Sequence, residues 1–335
     1  METELFSYNL PRELIARYPL ERGMEQLLVV ERDTGKIFHK QFFDLLSYLH
    51  PGDVLVLNDT KVIPARLLGR KETGGKVEVL LLKQIEGTKW RCLVSASKPT
   101  RAGAVIMFAD NLEAVVENRE SKYYVLTFSD EKQVLSIGKI PLPPYIDREP
   151  EDLDSESYQT VYARHDGSVA SPTAGLHFTQ DMLGKIEASG IEVVYVTLHV
   201  GPGTFTPVRT ESIEEHTMHP EEFSVTHKAA DAINNARAKG KRIVSVGTTT
   251  TRVLEHLMYS QGRISPGKGS TDIFIYNGFS FKSVGALLTN FHLPCSTLLM
   301  LVSAFGGHDQ IMKAYKEAVE RRYRFYSYGD AMLII

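Results

Sequence analysis

Between Leu67 and Phe128 the chain holds no apolar residues at helical spacing, and this block lies inside text of the opposite kind. GKVEVLLLKQI (75–85), KWRCLVSAS (89–97), GAVIMFAD (103–110), LEAVVEN (112–118) and YYVLTFS (123–129) are short and rich in β-branched or aromatic residues. Gly, Asp, Asn or Ser-Lys turns separate them, which is the signature of strands and hairpins. Strands at a spacing of about 8–12 residues predict a small barrel or sandwich. The block gives way to IPLPPYI (140–146), whose prolines forbid regular structure.

On either side the pattern is βα alternation. DVLVLND (53–59) reads as a buried strand running into a turn. Thr179 and Thr226 are expected N-caps of helices ending near Gly190 and Gly240, and a further helix closes at Gly262. IEVVYVTL (191–198), RIVSVG (242–247), DIFIYNG (272–278), ALLTNF (286–291) and DAMLII (330–335) are the expected strands, with helices around 296–305 and 309–322. The expected fold class is therefore α/β: a mostly parallel sheet with helices on both faces, plus an inserted all-β barrel. Residues 1–66 and 157–335 form the discontinuous α/β part and 67–156 the insertion.

At 335 residues the chain can bury a large core without staples. Cys92 and Cys295 are too few and too far apart for a disulfide framework or zinc knuckle. No apolar run reaches the roughly 20 residues of a membrane span, and the acidic, polar start is not a secretory signal. A cytoplasmic monomer is the default expectation. Net charge is -3, yet 61–101 holds ten basic residues against three acids, and 147–156 six acids against one arginine. A local basic stretch can mark a phosphate backbone, although solvated charges on outer strand faces look the same.

The strand tips carry the chemistry, because ligands of parallel sheets sit in the loops that follow. His199 and the Gly201 and Gly203 pair open one such loop, continuing through Thr204. Glycines there let backbone approach a ligand, and a histidine can move protons. It is neither a Walker loop nor GxGxxG. Thr248–Thr251 followed by Arg252 enter a helix, offering hydroxyls, N–H groups and a guanidinium to a carboxylate or phosphate. Ser168–Thr179 places small residues and His177 before a helix; Asn290 and His292 repeat the strand–loop–cap arrangement; Asp59 and Arg66 flank another tip. His216 and His219, three apart with nearby carboxylates, suggest a metal, but Pro220 would break the helix needed to present both. From these residues alone, a nucleotide-like or carboxylate ligand is implied; a metal-dependent hydrolase and a non-catalytic RNA-binding protein remain open.

NDTKVIPARL (58–67), SVASPTAGLHFT (168–179), TLHVGPGTFTPV (197–208), VGTTTTRVLE (246–255), LLTNFHLPCSTLLMLVSAF (287–305) and YRFYSYGDAML (323–333) resemble the S-adenosylmethionine:tRNA ribosyltransferase-isomerase family of queuosine biosynthesis. The resemblance covers the whole chain in order; its mild departures are the Thr248–Thr251 run and Cys295, where lysine is common. It implies an α/β domain with an inserted barrel and no permanently bound cofactor. S-adenosylmethionine would donate its ribosyl group to 7-aminomethyl-7-deazaguanine at the wobble position of tRNA, releasing adenine and methionine. Against that reaction His199 and His292, then His177 and Asp59, are acid–base candidates. Gly201, Gly203, Thr204, Thr248, Thr249, Arg252, Arg66 and Asn290 are candidate substrate contacts. Lys61, Arg70, Lys71 and Lys76 would hold tRNA, and Tyr145, Phe205 and Tyr326 could stack bases.

Overall fold

The computed structural model describes residues 1–201, 203, 208 and 210–335. In chain order the strands of the first part are β1 (Gln26–Val30), β2 (Ile37–Gln41), β3 (Val54–Asn58) and β4 (Thr60–Val62). Then come β5 (Arg66–Lys71), β6 (Lys76–Glu86), β7 (Lys89–Ala96), β8 (Val105–Met107), β9 (Glu113–Glu120) and β10 (Tyr123–Phe128), followed by the short helices α1 (Glu131–Ser136) and α2 (Asp154–Ser157). The remainder alternates: β11 (His165–Ser168), α3 (Gln180–Ala188), β12 (Glu192–Leu198), β13 (Glu221–Val225), α4 (His227–Ala238), β14 (Ile243–Val246), α5 (Thr248–Gln261), β15 (Gly267–Thr271), β16 (Ala286–Asn290), α6 (Thr297–Gly306), α7 (His308–Glu320) and β17 (Ala331–Ile334).

The strand-only block closes on itself as a barrel in the order β10-β7-β6-β5-β8-β9. Its interior is filled by alternate residues such as Val77, Val79 and Leu81 of β6, with Trp90 and Cys92 of β7. Their outward neighbours stay wet, as the period-two pattern requires.

The large sheet has the order β15-β13-β12-β3-β14-β16-β17-β1-β2. Its centre, β12-β3-β14-β16, is parallel, as is β17-β1. The pairs β15-β13, β13-β12, β16-β17 and β1-β2 are antiparallel, so the sheet is mixed, with its parallel strands inboard. Parallel pairing needs a crossover of about a dozen residues or more, which the short β1–β2 turn cannot supply. Alternation along each strand divides the core. Val54 and Val56 of β3 and Val194 and Val196 of β12 face α4–α7. Leu55, Leu57 and Val193 face Leu183 and Ile186 of α3, with Phe42 and Leu45 of a 3-10 turn. Both faces are thus covered. Thr179 and Thr226 cap α3 and α4 as expected, their hydroxyls accepting from Met182 and Ala229 N–H.

One expected strand is displaced. β15 lies at Gly267–Thr271, and 272–278 forms no strand. The Arg252 guanidinium donates to the Thr271 and Ile273 carbonyls, while the Phe274 and Tyr276 rings pack at a tilt, centroids 5.0 Å apart. Side-chain packing there replaces a ladder.

Candidate active site

The parallel strands β3, β12, β14 and β16 all finish on one edge of the sheet. Because β17 runs antiparallel to β16 and parallel to β1, the starting ends of β17 and β1 lie on that same edge. Loops from both kinds of strand therefore converge.

β14 passes through Gly247 directly into α5. Gly247 has φ +88, a backbone state open to glycine at little cost. As the N-cap it brings no side chain to the helix, so no hydroxyl or carboxylate caps α5. An uncapped N-terminus leaves N–H groups and the positive end of the helix dipole for an anion. Thr248 and Thr249 line the adjoining pocket. Successive helical residues turn by about 100°, so four threonines cannot share a face. Thr251 accordingly points inward, donating to Ser245 Oγ (2.9 Å) and to the Gly247 carbonyl (3.2 Å).

The pocket lies between the 171–174 loop, the start of α5, and the 289–293 and 326–327 segments, with about 580 Å³ of space counted out into its open mouth. Asn290 is buried there; its Nδ2 donates to the Tyr326 carbonyl (3.0 Å), and its Oδ1 has no hydrogen-bond partner. A buried acceptor left unmade costs about 1–3 kcal/mol, which a ligand donor would recover. Ser171 Oγ is another buried, unpartnered atom on the wall. Tyr145 and Tyr326 stand side by side, ring centroids 4.6 Å apart, and the Tyr145 hydroxyl bonds Ser327 Oγ at 2.6 Å. Tyr326 is held at φ +71.

His292 lines the pocket with its Nε2 2.8 Å from Thr289 Oγ1. Burial pulls its pKa down to about 3, so the ring is neutral at physiological pH. A neutral imidazole so weakly basic can hydrogen-bond a ligand but is a poor general base. The shift also has a stability consequence. Between an unfolded value of about 6.5 and a folded value of about 3, only the unfolded chain takes the proton, so this contribution is full above pH 6.5 and is lost as pH falls. The expected loss at pH 5 is about 2 kcal/mol. Denaturant melts of wild type and His292→Phe at pH 7.5 and 5 should show the variant losing less; parallel losses would refute the assignment.

His199 stands at the end of β12, one residue before pocket-lining Val200. Its Nδ1 is 2.8 Å from Thr60 Oγ1, and Gly167, at φ +140, lets the ring close in: a Cβ there would lie 3.0 Å from it. Burial lowers the His199 pKa, opposed by Glu222. Buried Asp59 accepts from Thr197 Oγ1 at 2.7 Å and lies 3.6 Å from His165.

Several expected site residues place differently. Arg252 is buried and paired with Glu221, away from the pocket lining. Glu221 also accepts the Gly201 N–H at 2.9 Å, so the pair holds the 199–201 loop rather than meeting a ligand. Arg66 sits at the barrel rim, bonded to Glu149 (2.7 Å) and Glu78 (3.0 Å). His177 is buried outside this pocket, packed on Phe42. Gly203 lies against His219, where a Cβ would come within 3.0 Å of the ring; Thr204 and Phe205 lie outside the described residues. His216 and His219 have other partners: His219 Nε2 contacts Lys122 Nζ at 2.9 Å, and His216 packs edge-on to Phe274.

Missing from the residue-level reading were Thr289, Ser296 and Ser327, common polar residues without a motif. The small-residue loop at 171–174 was a visible signal, since loops lacking hydrophobic pattern contact something.

Among the described residues, Lys61 pairs with Asp166 (3.3 Å), whereas Arg70, Lys71, Lys76, Lys98 and Arg101 pair with no carboxylate. Arg70 and Lys76 face each other across β5 and β6 at one barrel end. The acidic stretch is engaged internally, with buried Asp154 gripped by Arg148 at 2.6 and 2.7 Å. No helix among the described residues is long and apolar enough to cross a membrane.

Fold and pocket together define an α/β protein with an inserted closed barrel and a pocket at its strand tips. The model of the family described as "Queuosine biosynthesis protein" matches residues 3–334. Among similar proteins, one of Anaeromyxobacter sp. (strain Fw109-5) is 52% identical over 98% of this chain and 97% of its own length. One of Trichlorobacter lovleyi is 50% identical over 98% of each. Both are named S-adenosylmethionine:tRNA ribosyltransferase-isomerase. A crystal structure of S-adenosylmethionine tRNA ribosyltransferase from Thermotoga maritima is 38% identical, with TM-score 0.58, covering 99% of this chain and 100% of that one. This chain belongs to the queuosine biosynthesis protein family and is an enzyme of transferase–isomerase type.

Proposed function

We propose that the chain moves and isomerises the ribosyl group of S-adenosylmethionine onto the aminomethyl group of 7-aminomethyl-7-deazaguanine at the tRNA wobble position. Epoxyqueuosine-tRNA, adenine and methionine are the products. The observation that carries this reading is one pocket joining an uncapped helix N-terminus, a buried unpartnered amide oxygen and paired tyrosine rings.

Each feature answers a part of the donor. The N-terminus of α5, with Thr248 and Thr249, receives the methionine carboxylate. Asn290 Oδ1 accepts from an amino group, and Tyr145 or Tyr326 lies against the adenine face. The sulfonium acidifies the ribose C5′ protons, so a base is required. His199, neutral at pH 7 and oriented by Thr60, takes that role. His292 hydrogen-bonds the adenine, which leaves as a neutral base. No other cofactor is required. The barrel unit, 67–156, holds RNA through Arg70, Lys71 and Lys76, with Lys61 nearby. The enzyme works as a cytoplasmic monomer.

Purified protein given S-adenosylmethionine and an anticodon stem-loop bearing the modified base should release adenine in step with epoxide on the RNA, followed by mass. No turnover by folded protein on intact RNA would refute the reading. Charge reversal at Arg70 and Lys76 should weaken stem-loop binding and flatten its log–log salt dependence by about 1 to 2. An unchanged slope would move the RNA off this barrel end.

A further inference from the structure

A second cavity, of about 320 Å³ counted out into its open mouth, lies on the same sheet edge, where β1 and β17 begin. Ser327 lines both cavities, so they share a wall. Ribosyl transfer requires the acceptor amine to reach the donor ribose, and a neighbouring cavity on the reactive edge meets that requirement.

Its chemistry is specific. Glu25 is buried on the wall, one oxygen accepting the Gly23 N–H at 2.8 Å. His177, 1% exposed, lies with Nδ1 3.4 Å from the other oxygen, yet neither ring nitrogen makes a hydrogen bond. Arg22 gives its hydrogen bonds to the carbonyls of Leu176, Glu156 and Gln159, so it lies near Glu25 without a hydrogen bond to it. Leu20, Leu176 and Tyr328 supply apolar walls for a flat ring.

We propose that this cavity takes the guanine-type base of the acceptor RNA: Glu25 accepts the N1–H and 2-amino hydrogens, and His177 donates to the 6-oxo oxygen. A carboxylate matches the two adjacent donors of that edge. It repels adenine, whose N1 is an acceptor, so donor and acceptor bases sort into different cavities. Gripping the base by this edge leaves position 7 on the far side of the bicycle, free to project its aminomethyl group. Enzymes that work on a base extrude it and read this edge. The inference rests on the proposed function, because the acceptor's identity comes from there.

The test is steady-state kinetics of the full chain with two stem-loops, one carrying 7-aminomethyl-7-deazaguanine and one lacking its 2-amino group. In wild type, loss of the 2-amino group should raise the RNA KM about ten- to a hundredfold, the range for a hydrogen bond to a charged group. Glu25→Gln should raise the KM for the intact stem-loop similarly, discriminate little between the two RNAs, and leave S-adenosylmethionine affinity by calorimetry unchanged. Equal KM values for both RNAs in wild type would overturn the proposal and leave Glu25 and His177 an internal pair only. Should Glu25→Gln not fold, the wild-type comparison still decides. Absence of any wild-type turnover would instead sink the proposed function itself.

Discussion

Replacing Asn290 by alanine is expected to cut kcat/KM for S-adenosylmethionine by about a hundredfold. Two effects combine. The side chain pins Tyr326 through its carbonyl (3.0 Å), and Tyr326 sits at φ +71, a state that costs a residue bearing a Cβ about 1–2 kcal/mol. Without the tether that backbone can relax, and the Tyr145–Tyr326 pair loses its placement. The substitution also deletes the buried Oδ1, the acceptor assigned to the donor's amino group. Asn290→Asp separates the two: it keeps an acceptor and loses the donor to Tyr326. Alanine should raise KM and lower kcat, whereas aspartate should act mainly on kcat. Initial rates over a range of S-adenosylmethionine at saturating stem-loop measure this. An alanine variant within threefold of wild type would remove Asn290 from the site.

Arg252→Met should give the largest loss of stability, about 3–5 kcal/mol, because it strands the Glu221 carboxylate in the interior. Both side chains are almost fully buried, at 3% and 5% exposure, so water screens the pair little. The double variant Arg252→Met, Glu221→Gln should recover part of the loss, since a neutral amide costs less to bury and can still accept the Gly201 N–H. Activity should fall more than stability alone explains, as Glu221 holds the backbone beside His199. Denaturant titration of the three proteins is the measurement. A single variant within 1 kcal/mol of wild type would show that the ion pair is dispensable.

Much of this molecule is legible as text. The period-two block yields a barrel because alternation leaves a strand one buried face. The parallel centre follows from apolar strands joined by helix-length segments with threonine caps. The run Thr248–Arg252 marks a ligand loop, and Asn290 and His292 mark another. These are local properties, carried by spacing and by which backbone groups a side chain can reach.

Other features needed the third dimension. Arg252 reads as an anion ligand until Glu221, 31 residues earlier, is found against it. His177 and His292 look alike as loop histidines, yet His292 lines the strand-tip pocket and His177 neighbours Glu25. The antiparallel β16–β17 pairing brings the start of β1 to the edge that carries the strand-tip pocket, which no period reveals. Sequence alone determined the elements and the strand tips where chemistry gathers, since hydrophobic period and capping are written in neighbouring residues. Tertiary structure alone decided which charges face a cavity and which face each other, because a guanidinium or carboxylate is committed by whatever long-range partner the fold places within about 3 Å.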